Sequence, residues 1–499
     1  MSRSRGSVKT WLVFFHRWLG VVFCLPFLLW FASGVVLMYR AFPSVSEADR
    51  LNHRTPLNAS AIHLTPQQAY DRLPRAWPPE SVRIVMVAGR PAYRFKVGRG
   101  ESIVYADDGT VQDESQVDFA RRVAAAWTGQ PPFIADVEEL TGRDQWTVSG
   151  EFRPLEPMRK FSWPDGEQVY VSTVVGDVVQ YTTRASRMGA YFGAIPHWLY
   201  FTPLRKHARF WSRLVVGVSG MAVVAALLGI LIGISVYSWG KVCGPGRVAS
   251  AIPYIGLKRL HMILGLGFGV IATTWAFSGM LSMDPFPRLQ GSLDQSGAQI
   301  EQGLRGATVP LRGFEEKPPQ DALRQLEPSL KVKELELTSF AGEPIYLAKV
   351  SQNNVRIIPI HGQVAGEFEF LRIVNAVQRI SQPAPVKEAR VVPRYEAYYL
   401  DRHNRLPLPA IFVRLGDRND SSFYIDPKTA QVVESYGSRS RWNRWLYHGL
   451  HSMDFPWLYA HRPAWDIVVL TLMTGGLGLG LTALLLAIRA LRRAFALET

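Results

Sequence analysis

Four long apolar runs interrupt an otherwise polar chain, at residues 11–39, 210–237, 260–283 and 465–488. A helix that crosses the roughly 30 Å hydrocarbon core of a bilayer needs about 20 apolar residues, so each run predicts a transmembrane helix. The polar segments 40–205 and 284–464 are each long enough for a folded domain, whereas 238–259 is a short loop. The pattern predicts a membrane protein with four transmembrane α-helices.

Within the polar segments the apolar residues follow shorter patterns. The stretch TPQQAYDRL predicts a helix capped by Thr65. The stretches SVRIVMVAGRPAYRFKV and SIVYADDGTVQ predict strands joined by Gly and Asp turns, and VKELELTSFAGEPIYLAKV with VRIIPIHGQVAG repeats that order in the second segment. We therefore expect two α+β domains, each a small meandering sheet against a helix.

The chain contains an internal duplication. His16 and His261 are each followed fourteen residues later by a tryptophan and then by a Ser-Gly pair. The stretches HWLYFTPLRKHARFW and HSMDFPWLYAHRPAW place His197 and His451 at the head of matching segments, 254 residues apart. One unit consists of a span, an outer domain, a histidine segment and a second span, and two such units make the chain.

Basic residues predict the orientation of the spans, because short loops rich in Lys and Arg face the cytoplasm. They precede the first span, fill the short loop and close the chain: Arg3, Arg5, Lys9, Lys241, Arg247, Lys258, Arg259, Arg489, Arg492 and Arg493. Both termini are then cytoplasmic and both polar segments periplasmic, in the inner membrane of a bacterium. The net charge of +15 is largely this topology signal, so we expect no nucleic-acid partner. The first apolar run is too long for a signal peptide and lacks a small-residue cleavage site, which favours an uncleaved anchor.

The sequence lacks the motifs of most other chemistries. The two cysteines, Cys24 in a span and Cys243 in the short loop, provide neither a disulfide for the outer segments nor a metal cluster. Hydrolase, P-loop and kinase motifs are absent. No cytoplasmic segment is long enough for a flavin or nicotinamide domain, so any electron donor would be a separate cytoplasmic partner or a quinol.

Histidines at the ends of the spans are the candidate metal ligands, because ionisable residues in a membrane are costly and are retained for function. In the predicted orientation His16 and His261 lie near the cytoplasmic ends, and His197 and His451 at the periplasmic entrances. The duplication relates each pair by a pseudo-twofold axis, which predicts facing imidazoles and hence bis-histidine ligation of two haem b groups. Interfacial anchoring is the alternative for each histidine. His448 is an alternative outer ligand, although the repeat favours His451.

Other repeated residues fit a supporting role. His207 and His461 lie beside arginines and are interpreted as interfacial or propionate-facing, with ligation as the less favoured alternative. Arginines at the ends of the spans suit anionic haem propionates or ordinary anchoring of helix ends. They are Arg17, Arg205, Arg209, Arg213, Arg259, Arg444 and Arg462.

The stretches HRWLG…WFASG, IPHWLYFTPLR, RLHMILG…WAFSGM and WLYHGLHSMDFP resemble the PepSY-associated transmembrane family. The outer stretches VYVSTVVGDVV and FYIDPKTAQVV resemble its PepSY repeats, so nearly the whole chain is covered. Members include inner-membrane ferric-siderophore reductases with haem in a four-helix unit. The resemblance implies two PepSY-like periplasmic domains, and electron flow through two haems to a ferric siderophore, releasing Fe(II). His16 with His261 would then hold the inner haem, and His197 with His451 or His448 the outer one.

Two other classes of function are open at this stage. PepSY modules are also associated with protease inhibition and signalling, so the chain is alternatively a regulatory or binding protein without redox activity. A protein of that class would not need pairs of histidines at matching depths in the membrane. A transporter is the third class, against which the short cytoplasmic loop argues.

Overall fold

The computed structural model describes residues 2–74, 77–113, 115–237, 251–285 and 293–495. Much of the predicted short loop, with Lys241, Cys243 and Arg247, lies outside these ranges, as do the side chains of Arg3 and Arg5. Contacts divide the chain into two compact units. The first, a helical bundle, consists of Met1–Phe42, Ala185–Gln290 and Trp442–Thr499. The second, which contains the sheets, consists of Pro43–Arg184 and Gly291–Arg441.

The α-helices are, in chain order, α1 (Ser2–Leu37), α2 (Glu47–His53), α3 (Pro66–Tyr70), α4 (Val117–Thr128), α5 (Arg184–Phe192), α6 (Ala194–Trp198), α7 (Thr202–Arg205), α8 (Ala208–Val236), α9 (Gly256–Leu281), α10 (Leu293–Arg305), α11 (Pro319–Arg324), α12 (Phe370–Ile380), α13 (Ser438–Asn443), α14 (Leu450–Ser452), α15 (Pro456–Tyr459) and α16 (Ala464–Phe495). A π-helix, Arg444–Gly449, connects α13 to α14.

The strands are β1 (Ser81–Val87), β2 (Arg90–Val97), β3 (Gly100–Tyr105), β4 (Val111–Gln112), β5 (Asp136–Leu140), β6 (Met158–Ser162), β7 (Gln168–Ser172), β8 (Asp177–Thr182), β9 (Glu334–Phe340), β10 (Glu343–Ser351), β11 (Asn354–Pro359), β12 (Val386–Val392), β13 (Ala410–Leu415), β14 (Ser422–Ile425) and β15 (Val432–Tyr436). All their pairings are antiparallel.

The bundle contains the four predicted apolar helices. Within the described residues, four helical segments are long and apolar enough to cross a membrane: Val8–Leu37, Ala208–Val236, Gly256–Leu281 and Ala464–Phe495. The prediction of four such helices is confirmed, with ends that differ from the predicted ones by several residues.

Glycines let aromatic rings lie directly against the backbone of α16. A Cβ at Gly475 would overlap the ring of Phe268 on α9, and a Cβ at Gly476 would overlap the ring of Phe31 on α1. Small residues at helix contacts are typical of membrane bundles, where close backbone approach and packing drive association. These two positions bring α1 and α9 close to α16.

The segments that lead into α8 and α16 have equivalent hydrogen bonds. The indole Nε1 of Trp211 donates to the carbonyl of Trp198 at 3.0 Å, and that of Trp465 donates to the carbonyl of Ser452 at 3.1 Å. Both residues of the second bond lie 254 positions after those of the first. The repeat read from the sequence therefore has a structural counterpart in the bundle.

The second unit contains a seven-stranded sheet of order β11-β10-β9-β1-β2-β3-β4, to which both polar segments contribute. Strands β1 and β9 pair in its centre, with Arg83 opposite Glu336. These residues lie 253 positions apart, the spacing of the repeat in this region, so a local twofold axis passes between them. Each segment also forms a four-stranded sheet of its own, whereas this sheet combines strands of both segments. An unpaired β1 and β9 would each expose a row of backbone groups, and pairing satisfies both.

Local signals in the second unit are confirmed. The hydroxyl of Thr65 accepts a hydrogen bond from the backbone N–H of Gln68, whose side chain accepts one from the N–H of Thr65, and together they cap α3. The β1–β2 turn places Ala88 and Gly89 at φ of 51° and 85°. Both residues lie in the left-handed region, as a tight two-residue hairpin requires.

Two smaller sheets complete the second unit. Strands β5 to β8 and strands β12 to β15 form four-stranded meanders in chain order. Phe161 and Val169 of the first meander pack in a buried core with Ala124 of α4. Val413 of the second packs likewise with Ile373 of α12. Each is a small meandering sheet packed against a helix.

Candidate functional site: two histidine pairs in the bundle

His16 and His261 face each other in the bundle and are called the inner pair. His16 lies on α1 and His261 on α9, with ring centroids 6.4 Å apart and ring planes inclined by 37°. The Nδ1 of His16 lies 3.0 Å from the carbonyl oxygen of Ala225 on α8. The Nδ1 of His261 lies 2.9 Å from the hydroxyl of Thr482 on α16. All four long helices thus contribute to the inner pair.

His197 and His451 form a second pair, called the outer pair. Their ring centroids are 6.1 Å apart and their planes are inclined by 63°. The Nδ1 of His197 lies 3.2 Å from the hydroxyl of Ser33 on α1, and the Nδ1 of His451 lies 3.0 Å from the hydroxyl of Ser278 on α9. Ser33 and Ser278 are the serines of the two repeated Ser-Gly pairs, so the two halves hold their histidines in the same way.

The hydroxyl partners determine which ring nitrogen carries the proton. Ser33 donates its single hydroxyl hydrogen to the carbonyl of Leu29 at 2.6 Å, and Ser278 donates to that of Trp275 at 3.2 Å. Each hydroxyl is therefore left to accept from the histidine Nδ1–H. Thr482 likewise donates to the carbonyl of Leu479 at 2.8 Å, and the carbonyl bonded to the fourth histidine accepts only. All four rings are assigned the Nδ1–H tautomer on this network.

The remaining nitrogen of each ring, Nε2, carries the lone pair. Among the described residues no hydrogen bond reaches Nε2 of any of the four histidines. Metal-bound histidines almost always donate their other N–H to a carbonyl, carboxylate or water, which fixes the tautomer and orients the ring. In this protein, hydroxyl and carbonyl oxygens are the acceptors bonded to the histidine Nδ1–H groups.

The spacing of the rings suits one metal atom between each pair. An imidazole nitrogen lies about 2 Å from a bound metal and roughly 1 Å from its own ring centre, so two rings on opposite sides have centres about 6 Å apart. The observed separations are 6.4 Å and 6.1 Å.

Three of the four rings lie directly against a glycine. A Cβ at Gly229 would lie 2.7 Å from Cε1 of His16. A Cβ at Gly34 would lie 3.4 Å from Cε1 of His197, and one at Gly279 3.5 Å from Cε1 of His451. The absence of a side chain at these positions lets each imidazole approach the helix backbone closely.

Two buried polar atoms of the bundle lack hydrogen-bond partners among the described residues. They are the indole Nε1 of Trp275 and the guanidinium Nε of Arg205. Buried donors normally have a hydrogen-bond partner, so each of these two can bind an acceptor such as a carboxylate. Among the other predicted arginines, Arg444 is bound to Asp454 and Arg462 to an aspartate on α16, whereas the rest are exposed.

The other three candidate histidines are exposed and face neither pair. His448 is exposed, and its ring contacts Tyr447 with centroids 4.6 Å apart. It is His451 that faces His197. His207 and His461 are both exposed.

The two pairs lie at different depths of the bundle. Seventeen residues separate His16 from Ser33 on α1, which corresponds to about 25 Å at the rise of an α-helix. Aromatic rings occupy the intervening length: Phe27 stacks on Phe31 at 6.4 Å, and Phe31 contacts Trp275 at 5.8 Å.

The sequence signalled part of this site. The repeated Ser-Gly pairs marked Ser33 and Ser278 without indicating their role, and Thr482 carried no local signal because its partner is 221 residues away. Neither a comparison with protein-family models nor one with curated proteins finds a match for this chain.

Proposed function

We propose that the chain is a di-haem membrane oxidoreductase, in which His16 and His261 hold one haem b and His197 and His451 hold the other. The observation that carries this is the common state of the four rings, each bonded through Nδ1 and free at Nε2, at separations of 6.4 Å and 6.1 Å. Two histidines leave a bare metal ion short of ligands, whereas a porphyrin supplies the equatorial ligands itself.

When bound, haem supplies one-electron chemistry, its iron alternating between the ferric and ferrous states. The chain contributes orientation and surroundings. Hydroxyl and carbonyl acceptors hold the four imidazoles in place, and buried aromatic side chains such as Phe31 and Trp275 keep water from the core between the pairs. Trp275 Nε1 and Arg205 Nε are buried donors that could bind carboxylate oxygens of the cofactor.

Electrons would enter on the cytoplasmic side, from a quinol or a separate protein, and leave on the periplasmic side. The resemblance to ferric-siderophore reductases supports a ferric siderophore as acceptor. Each Fe(III) takes up one electron and becomes Fe(II), and the donor loses one. Chelators of this kind hold Fe(II) weakly, so reduction releases the iron. In this proposal the second unit forms two PepSY-like regions on the periplasmic side of the bacterial inner membrane.

An optical spectrum of the purified full-length protein, before and after dithionite, tests the proposal. We expect sharp low-spin b-type bands and about two haems per chain. A colourless protein, produced with haem available, would contradict it and favour a PepSY-type regulatory or binding protein.

Substitution of the proposed ligands tests which histidines bind each haem. His261→Ala should remove one haem equivalent and leave the other, and His451→Ala should do the same for the outer site. His207→Ala is the matched control, since that histidine is exposed and should retain both. A His261→Ala protein with two haems and an unchanged spectrum would refute the inner pairing.

A further inference from the structure

The two halves of the bundle differ where the chain leads into the outer pair. Ahead of His197, the repeat places Gly193 and Ala194. The equivalent positions ahead of His451, 254 residues later, hold Tyr447 and His448. They lie in the π-helix, a rare conformation that frequently occurs at functional sites.

A continuous series of rings connects the outer pair to the surface in the second half. The ring of His451 lies 5.6 Å from that of Tyr447, with an inclination of 32°. The ring of Tyr447 lies 4.6 Å from that of His448. Because His448 is exposed, the series ends at the surface of the protein.

In the first half, the equivalent positions are packed and carry no ring. Ala194 is fully buried. A Cβ at Gly193 would lie 2.9 Å from the carbonyl oxygen of Gly189 and 3.1 Å from the side chain of Val36, so a larger residue does not fit there. Neither position offers a ring.

A buried ion pair fixes the π-helix. Arg444 donates to the carboxylate of Asp454 at 2.7 Å and to its backbone oxygen at 2.9 Å, and both residues are buried. The repeat-equivalent positions are Ala190 and Tyr200, which have no such charges. Removing one member of a buried pair leaves the other charge uncompensated, so the pair holds this conformation in place.

We propose that the electron acceptor contacts the protein at Tyr447 and His448, which the second half of the duplication provides and the first does not. This rests on the proposed function, and the acceptor is a ferric chelate. Its Fe(III) gains one electron at this surface and becomes Fe(II), and the reductant on the opposite side loses one. Imidazole is an ordinary ligand for iron, and the neighbouring rings of His448 and Tyr447 give a chelate at the surface a short path to the outer pair.

Oxidation of the dithionite-reduced protein by ferric nitrilotriacetate, followed by stopped flow, tests the contact. His448→Ala should slow the second-order rate roughly tenfold or more, as misplacement of a reactant does, with haem content and spectrum unchanged. His461→Ala, the matched exposed histidine, should react at the wild-type rate. Tyr447→Phe keeps the ring and should stay near wild type, whereas Tyr447→Ala should be slow.

Equal rates for His448→Ala and His461→Ala would overturn the proposal. Loss of haem from His448→Ala would also overturn it, because His448 would then be a ligand. A wild-type protein without haem would instead refute the proposed function.

A second readout needs no electron transfer. Carbethoxylation of His448, followed by mass spectrometry, should slow several-fold when redox-inert gallium(III) nitrilotriacetate is present, while modification of His461 stays constant. Equal modification of His448 with and without the gallium chelate would argue against an acceptor site there.

Discussion

A single serine hydroxyl orients each of the outer histidines, and the two serines occupy equivalent positions in the two halves. Ser33 and Ser278 each accept from a histidine Nδ1–H while donating to their own helix. Partners of this kind fix the ring and raise the basicity of the metal-binding nitrogen. The cost of losing one should therefore appear in cofactor affinity more than in folding.

Replacing Ser278 tests this. If the outer pair holds haem as proposed, Ser278→Ala should weaken its binding by about 10–100-fold, the usual effect of losing such a partner. Titration of haem into the apoprotein measures it. Ser282→Ala is the matched control, because the Ser282 hydroxyl lies one turn further along and bonds to the carbonyl of Gly279. Equal haem affinity in the two variants would mean that the Ser278 hydroxyl does not orient His451.

At the level of helices, contact between α1 and α16 depends on a position without a side chain. Gly476→Ala should lower the stability of the bundle by about 1–3 kcal/mol, the usual cost of overpacking, since the new Cβ meets the ring of Phe31. Thermal unfolding in detergent would measure the change. Gly267→Ala on α9, where nothing lies within 4 Å, should have little effect. A similar loss in both variants would point to helix flexibility as the cause.

Sequence patterns predicted the elements better than their partners. The four apolar helices follow from length and composition, and the cap at Thr65 and the turn at Gly89 from local chemistry. The pairing of β1 with β9 joins strands 253 residues apart, and no local pattern encodes it. The same limit applies to Thr482, whereas the histidines could be matched in advance because the duplication placed them in register.

The topology of the whole molecule is open to a direct test through its own cysteines. If the loop 238–259 is cytoplasmic, Cys243 in inverted membrane vesicles should react with a membrane-impermeant maleimide, and in right-side-out vesicles it should not. Cys24 is buried in α1 and serves as the internal control, reacting only after denaturation. Labelling of Cys243 in intact cells would reverse the proposed orientation.

The second unit should lose stability in acid because of charges buried in it. Burial would raise the pKa of Asp177, but Arg94 and Arg54 more than offset it and lower the pKa to about 2. Glu336 is also lowered to about 2, with Lys349 countering the effect of burial. The ordinary values are 3.8 and 4.5. A depressed pKa stabilises the folded state above the ordinary value, and this is lost as the pH falls towards 2, by on the order of 2–3 kcal/mol for each group.

Unfolding of the full-length protein, followed between pH 5 and pH 2, measures this loss. Asp177→Asn should reduce the dependence on pH in that window and destabilise the protein at neutral pH, because the arginines lose a partner. Asp136→Asn, at an exposed position, should leave the profile unchanged. A pH profile of Asp177→Asn identical to that of wild type would show that another group governs the acid transition.

The opposition of Arg83 and Glu336 at the local twofold axis bears on what the chain can associate with. Two copies of the first half, joined through β1, would bring two arginines face to face, and two copies of the second half would bring two glutamates together. Like charges directly opposite destabilise a strand pair. Each half is therefore complementary to the other and repels a copy of itself, which favours pairing of a first half with a second half over pairing of two like halves.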